Sequence, residues 1–298
     1  MLHPRVRKPD SERRLGNERR AVKKLIALLS WSTLSFGGPS GVTLGPTVST
    51  FAVLGGSTVT NTGSSVIVGN VGVSPGTSIT GFPPGTVSSG NIFLAGATAG
   101  QAQSDLTTAF NTAMGLPCPG GNVLTGTDLG GLTLSPGVYC FSSSAQLTGT
   151  LILNGGGNAN AQFIFQIFST LTTATGSVVS LINSAQAANV FWEVGSSATI
   201  GTATAFAGNV MASASITLNT NATLAGRALA SSGAVTLAGN AVGIPGLPGS
   251  PAPGVPVPVP QTPGPTPIPS SLILVAMGLA CAGMYRARER LLSLLRGN

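Results

Sequence analysis

Short pieces in which apolar and small polar side chains alternate recur through most of this 298-residue chain, and glycine punctuates them. STVTNTG, SVIVGNVGV, GTLILNG, QFIFQIF, ANVFWEV, ASITLNT and GAVTLAGN are examples. A period of two marks a strand with one buried face. No two-residue hairpin turn dominates the connections. Instead Gly-Asn recurs at 69–70, 90–91, 208–209 and 239–240, where a corner needs positive φ. Short strands divided by single corners predict a solenoid that keeps turning one way rather than a meander.

Charge is nearly absent from this region. Between Leu25 and Tyr285 the only charged residues are Asp105, Asp128, Glu193 and Arg227. A folded domain normally carries about a quarter charged residues. Here the surface must consist of hydroxyls, amides and small apolar groups, which suits a neutral partner built of hydrogen bonds. The formal charge of +7 belongs to the tails. Residues 1–24 hold nine Lys/Arg against Asp10, Glu12 and Glu18, and Arg286 to Asn298 hold four Arg against Glu289. A basic patch on a folded face, the footprint of nucleic-acid binding, is missing, so no nucleic-acid partner is expected.

One segment breaks the strand pattern. From Thr98 to about residue 114 the spacing of Ala102, Leu106, Ala109, Phe110 and Ala113 predicts a helix. Thr98 is its expected N-cap, and Gly115 and Pro117 end it. A lone helix amid strands should lie along the flank of the solenoid. Phe163, Phe165, Phe168, Phe191 and Trp192 are expected in the core. Asp105 reads as a solvated helix residue and Arg227 as a donor to loop carbonyls. Cys118 and Cys140 are expected to form a disulfide worth roughly 3 kcal/mol by loop closure. Such a bond implies an oxidising, non-cytosolic location; two buried free thiols are the alternative.

Four segments follow from composition. Residues 1–41 are a basic leader with a signal-like order of charged, apolar and small residues. Residues 42–242 form the solenoid. Residues 243–269 are a proline-rich spacer, and residues 270–298 are an apolar anchor with a basic end. The apolar run Leu272–Tyr285 has 14 residues, short for a spanning helix. Proline spacer, small-residue apolar run and terminal arginines resemble the PEP-CTERM class of bacterial sorting tails, although Pro267-Ile268-Pro269 lacks the glutamate of that signature.

FAVLGGSTVTNTG, GNVGVSPGTSITGFPPG, the helix, GTDLGGLTLSPGVYCFSSSAQLTGTLILNG, AQFIFQIFSTLTTATGS, ANVFWEVGSSATIGTATAFAGN, ASITL and LAGRALASSGAVTL occur in that order from about Phe51 to Val242. Together they resemble the microbial ice-binding (antifreeze) family, built on an irregular right-handed β-solenoid. The resemblance implies a mainly β fold: a three-faced β-helix of triangular section with the long helix packed beside it. It also implies a flat face of Thr, Ser and Ala that adsorbs to ice. The residues expected on that face are Thr58, Thr60, Thr77, Ser142, Ser144, Thr173, Thr175, Thr202, Thr204, Thr217 and Thr220. Thr173-Ala174-Thr175 and Thr202-Ala203-Thr204 come nearest to the family's Thr-rich pattern.

Catalysis has little to draw on. Polysaccharide-cleaving solenoids need paired carboxylates, often with calcium. Asp105, Asp128 and Glu193 lie in unrelated contexts, and the only histidine is His3 in the leader. The expectation is a secreted or surface-tethered monomer whose partner is ice, with contact to a membrane through the C-terminal segment. It uses no metal or cofactor and does no covalent chemistry. The competing expectation is a surface-anchored adhesin or structural solenoid, which need not have a flat, regular Thr/Ser face.

Overall fold

A computed structural model of the protein describes residues 41–255. The signal-like leader, most of the proline-rich stretch, the anchor and Cys281 lie outside the described residues. Within them the chain winds into a three-faced parallel solenoid. The first face is a seven-stranded sheet. Its spatial order is Ala145–Leu147, Leu171–Thr173, Ala198–Ile200, Ile216–Leu218, Val235–Ala238, Thr58–Thr62 and Ser78–Thr80. The second and third faces belong to one 14-stranded sheet. They are continuous because the eight-residue strands Ala205–Ala212 and Thr223–Ala230 run from one face into the other. On the second face these strands neighbour Val178–Ile182 and Ala241–Gly243. On the third they neighbour Val190–Val194 and Phe51–Gly55.

The coils are not stacked in chain order. The chain starts in mid-stack at Phe51–Gly55 and builds outward to Ile92–Leu94 at one end. Helix α1, Gly96–Met114, then carries it along the third face towards the opposite end. From Gly137–Phe141 the coils wind back until Val235–Ala238 pairs with Thr58–Thr62. The lengths agree. A helix of 19 residues spans about 28 Å. The third-face strands Ile92–Leu94 and Phe163–Ile167, both touched by α1, stand six strand spacings apart, about 29 Å.

Two apolar cores result. The interior of the solenoid holds Phe141, Phe163, Phe165, Trp192 and Phe206, with Phe165 and Trp192 stacked at 3.9 Å between centroids. The second lies between α1 and the third face. There Ala102, Leu106, Ala109 and Ala113 meet Phe51, Ile164, Phe191, Met211 and Leu229, and Phe110 packs at the margin. The structure corrects three expectations. The helix begins two residues before Thr98, and Ala95 takes the N-cap position with no side-chain bond. Phe168 is 67% exposed at the corner entering the first face, not in the core. Asp105 does more than face solvent: its Oδ2 accepts the amides of Thr47 (2.8 Å) and Val48 (3.2 Å), anchoring the segment before the first strand.

Arg227 donates to the Ser49 carbonyl from Nε (3.1 Å) and Nη2 (2.8 Å), and to Asn209 Oδ1 from Nη1 (2.7 Å). Burial lowers its pKa to about 10, which still leaves it charged at neutral pH. Cys118 and Cys140 are disulfide-bonded, with Cα atoms 6.3 Å apart. The bond ties the chain beyond α1 to a third-face strand. Residues 244–255 do not leave the body as a spacer. They fold back across the second face, where Ile244 and Pro251 are buried and Ser250 Oγ donates to the Ile244 carbonyl at 2.7 Å.

The bend between second and third faces demands glycine. Gly208 (φ 116°) pairs in register with Gly226, and a Cβ on Gly226 would collide with the Gly208 carbonyl. We expect Gly226→Ala to destabilise the domain by about 3 kcal/mol, ~10 °C in the thermal midpoint. Thermal unfolding followed by circular dichroism checks this; an unchanged midpoint contradicts it. Glu193 is 3% exposed under α1, and no hydrogen bond to its carboxyl forms among the described residues. Burial raises its pKa from 4.5 to about 7. The fold therefore holds this proton more tightly than the unfolded chain does. Its contribution is fully present below pH 4.5 and is lost as pH rises through about 7. Glu193→Gln should flatten the decline of the thermal midpoint between these values and raise the midpoint above them. A steeper decline in the variant would contradict the assignment.

Candidate functional site

The three faces are covered differently. Helix α1 lies on the third, and residues 244–255 lie across the second, burying the outward methyls of Ala207 and Ala225. On the first face no outward side chain of the two ranks described next is buried.

Parallel pairing in register aligns these side chains. Inward positions stack as Ala145, Leu171, Ala198, Ile216, Val235, Val59 and Ile79. The next residue of each strand points outward. These residues form one rank: Gln146, Thr172, Thr199, Thr217, Thr236, Thr60 and Thr80. Six threonines thus stand on six consecutive coils at about 4.8 Å intervals. Their β-branch restricts χ1, so hydroxyl and methyl repeat with each coil.

A second rank runs beside it: Ser144, Thr170, Ser197, Ser215, Ala234, Thr58 and Ser78. The two ranks use their hydroxyls differently. In the second, several are bonded along the stack: Thr170 Oγ1 donates to Ser144 Oγ (2.8 Å), and Ser215 Oγ accepts the Ala234 amide (3.2 Å). In the threonine rank no hydroxyl bonds to another group among the described residues. Those six hydroxyls keep their full capacity for water. No charged residue belongs to either rank; Asp128 marks the end of the array, bridged to Gln146.

The expected site residues divide into three groups. Thr60 and Thr217 stand in the threonine rank, and Thr58 and Ser144 in the second. Thr77, Ser142, Thr175, Thr202 and Thr220 are exposed but sit at corners beyond the strands. Ser142 Oγ lies 3.1 Å from Thr125 Oγ1. Thr173 and Thr204 are buried, the latter wholly, and must be removed from any surface. Their place inside has a physical cause. The corner leaving the first face turns backbone groups inward that water cannot reach, and these must be paired. Thr173 Oγ1 accepts the Gly201 amide (2.8 Å), Thr204 Oγ1 donates to the Ala174 carbonyl (3.0 Å), and the two hydroxyls are 3.1 Å apart. In other coils asparagine does this work: Asn240 Nδ2 donates to the carbonyls of Asn219 and Ala222 at 2.8 and 3.0 Å.

Sequence reasoning missed Thr80, Thr172, Thr199 and Thr236. The signal that finds them is a threonine between two inward residues, as in Ala198-Thr199-Ile200, Ile216-Thr217-Leu218 and Val235-Thr236-Leu237. Thr-Ala-Thr is instead a corner pattern: Ala203 at its centre has φ 53°, a left-handed turn conformation.

Comparison with known proteins agrees with this geometry. Residues 53–243 match the family described as Ice-binding-like. An ice-binding protein from Nostoc sp. (strain HG1) is 57% identical over 197 residues, covering 66% of this chain and 72% of that protein. The crystal structure of an ice-binding protein from an Antarctic biological consortium superposes with a TM-score of 0.65 at 47% identity, over 68% of this chain and 91% of that one. The ice-binding protein of the Antarctic ascomycete Antarctomyces psychrotrophicus superposes with a TM-score of 0.66 at 42% identity, over 70% of this chain and all of that one. With its fold and most of its described length accounted for in this way, the chain belongs to the ice-binding-like family.

Proposed function

We propose that this protein adsorbs to ice through its first face and inhibits ice growth or recrystallisation, and that Thr60, Thr80, Thr172, Thr199, Thr217 and Thr236 are the contact rank. The observation that carries this reading is the in-register column of six threonines whose hydroxyls bond to no other group among the described residues. Each threonine offers a methyl that leaves nearby water poorly solvated and a hydroxyl that can hold one water in place. Repetition on a rigid sheet turns single held waters into a patch with a fixed spacing. Little side-chain entropy is lost on contact, because χ1 is already restricted.

The lack of charge fits the same purpose. Ionised side chains hold liquid-like hydration shells that ice would have to displace. A flat, regular Thr face is the property that an adhesin of the same fold need not have, and its presence supports the ice reading. The role requires binding alone. The disulfide and the signal-like leader support a secreted or cell-surface location.

Thr199→Tyr and Thr217→Tyr place a bulky ring in the middle of the rank. Each should reduce partition of the full chain into slowly grown ice by about tenfold or more, equivalent to ~1.4 kcal/mol. The far-ultraviolet spectrum and thermal midpoint should remain those of the wild type. Thr175→Tyr, at a corner, should partition normally. Wild-type partition by both central variants would refute the assignment of the face.

A further inference from the structure

The two ends of the described body emerge close together, on the side away from the first face. At the start, Val42 is clasped by Gln162: its amide donates to Oε1 (2.9 Å) and its carbonyl accepts from Nε2 (2.8 Å). Gln162 immediately precedes the third-face strand Phe163–Ile167, so this entry lies at the corner between second and third faces. In a three-sided body that corner is opposite the first face.

The other end is brought to the same region by residues 244–255. The last coil ends at Ala241–Gly243. From there the chain crosses the second face to Gly254, which lies against Val178, the Val179 carbonyl and Ser180. That crossing passes three strand spacings, about 14 Å, back along the stack. Val178–Ile182 pairs directly with Thr150–Asn154, the second-face strand of the coil that contains Gln162. Entry and exit therefore fall on neighbouring coils.

What is attached at these points differs in chemistry from the body. Asp105, Asp128, Glu193 and Arg227 leave the body at net −2. Beyond Val255 the sequence carries the proline-rich stretch, the apolar run Leu272–Tyr285 and four arginines, Arg286, Arg288, Arg290 and Arg296, against Glu289. Residues 1–24 add nine Lys/Arg against three acids. An apolar run next to arginines matches acyl chains next to phosphate headgroups. A nucleic acid would use the arginines and leave the apolar run without a role.

We infer that the tail holds this protein on an anionic phospholipid bilayer with its first face turned outward, so that one molecule can bridge a lipid surface and ice. The inference rests on the reading of the first face as the ice contact. It holds for the C-terminal tail alone, whether or not the leader is retained. Residues 244–255 then act as a strap that moves the exit point away from the face in use.

The test uses the full chain with dye-labelled vesicles of phosphatidylcholine and phosphatidylglycerol, with pure phosphatidylcholine vesicles for comparison. Sedimentation measures lipid binding, and dye trapped in slowly grown ice measures bridging. The chain should sediment with the phosphatidylglycerol vesicles and carry several-fold more dye into ice than protein-free vesicles do. Thr217→Tyr should still sediment with lipid yet leave the dye in the liquid. Vesicle-bound protein that stays in the liquid, while lipid-free protein enters ice, would show the first face turned towards the bilayer and overturn the inference. Absence of sedimentation with phosphatidylglycerol would overturn the choice of partner. A lipid-free chain that does not enter ice would overturn the preceding reading, and this one with it.

Discussion

Parallel pairing in register is the constraint from which the rest of the molecule follows. Each coil repeats the direction of its neighbour at one strand spacing, so a residue at a given strand position stands above its counterpart. Inside, this stacks Tyr139, Phe165 and Trp192 with their rings nearly parallel. Outside, it turns single threonines on separate coils into a rank. The same spacing sets the length of α1, which must cover a whole number of coils to deliver the chain to the far end. A longer or shorter helix would leave the returning coils without a partner for Phe51–Gly55 and Thr58–Thr62.

Register is kept only if every corner is made without disturbing the stack, and the two kinds of corner solve this differently. The bend between second and third faces brings backbone against backbone, and Gly208 and Gly226 leave room for it. The corner leaving the first face turns backbone groups inward, and Asn61, Asn240, Thr173 and Thr204 bond to them. Threonine thus has two unrelated uses within a few residues. At position 172 it faces water with an unused hydroxyl. At position 173 the hydroxyl is spent on the Gly201 amide.

That double use explains what could be read in the sequence. Alternation revealed the strands, the Ala-Leu-Ala stripe revealed α1, and the Cys118–Cys140 spacing pointed to the bond that forms. These are local signals. The choice of ice-facing threonines is not local: it depends on which coil lies beside which, and the coils are out of chain order. Thr60 and Thr236 are neighbours in space although 176 positions separate them. Spacing along the chain is also uneven, 27 residues from Thr172 to Thr199 but 18 from Thr199 to Thr217. The eye is drawn instead to Thr-Ala-Thr, a regular tripeptide that makes a corner.

Coverage of the faces completes the argument. Helix α1 is needed to move the chain between the ends of the stack, and in doing so it covers the third face. The strap at 244–255 moves the exit, and in doing so it covers part of the second. Both coverings are possible because those faces offer matching apolar residues: Leu229, Met211 and Phe191 under the helix, Ala207 and Ala225 under the strap. The first face offers alternating hydroxyls, on which neither an apolar helix nor a proline-rich strap would gain by packing. It stays open because water is the better partner for it. A water layer held at a fixed spacing by a rigid sheet is already part of the way to a crystal surface.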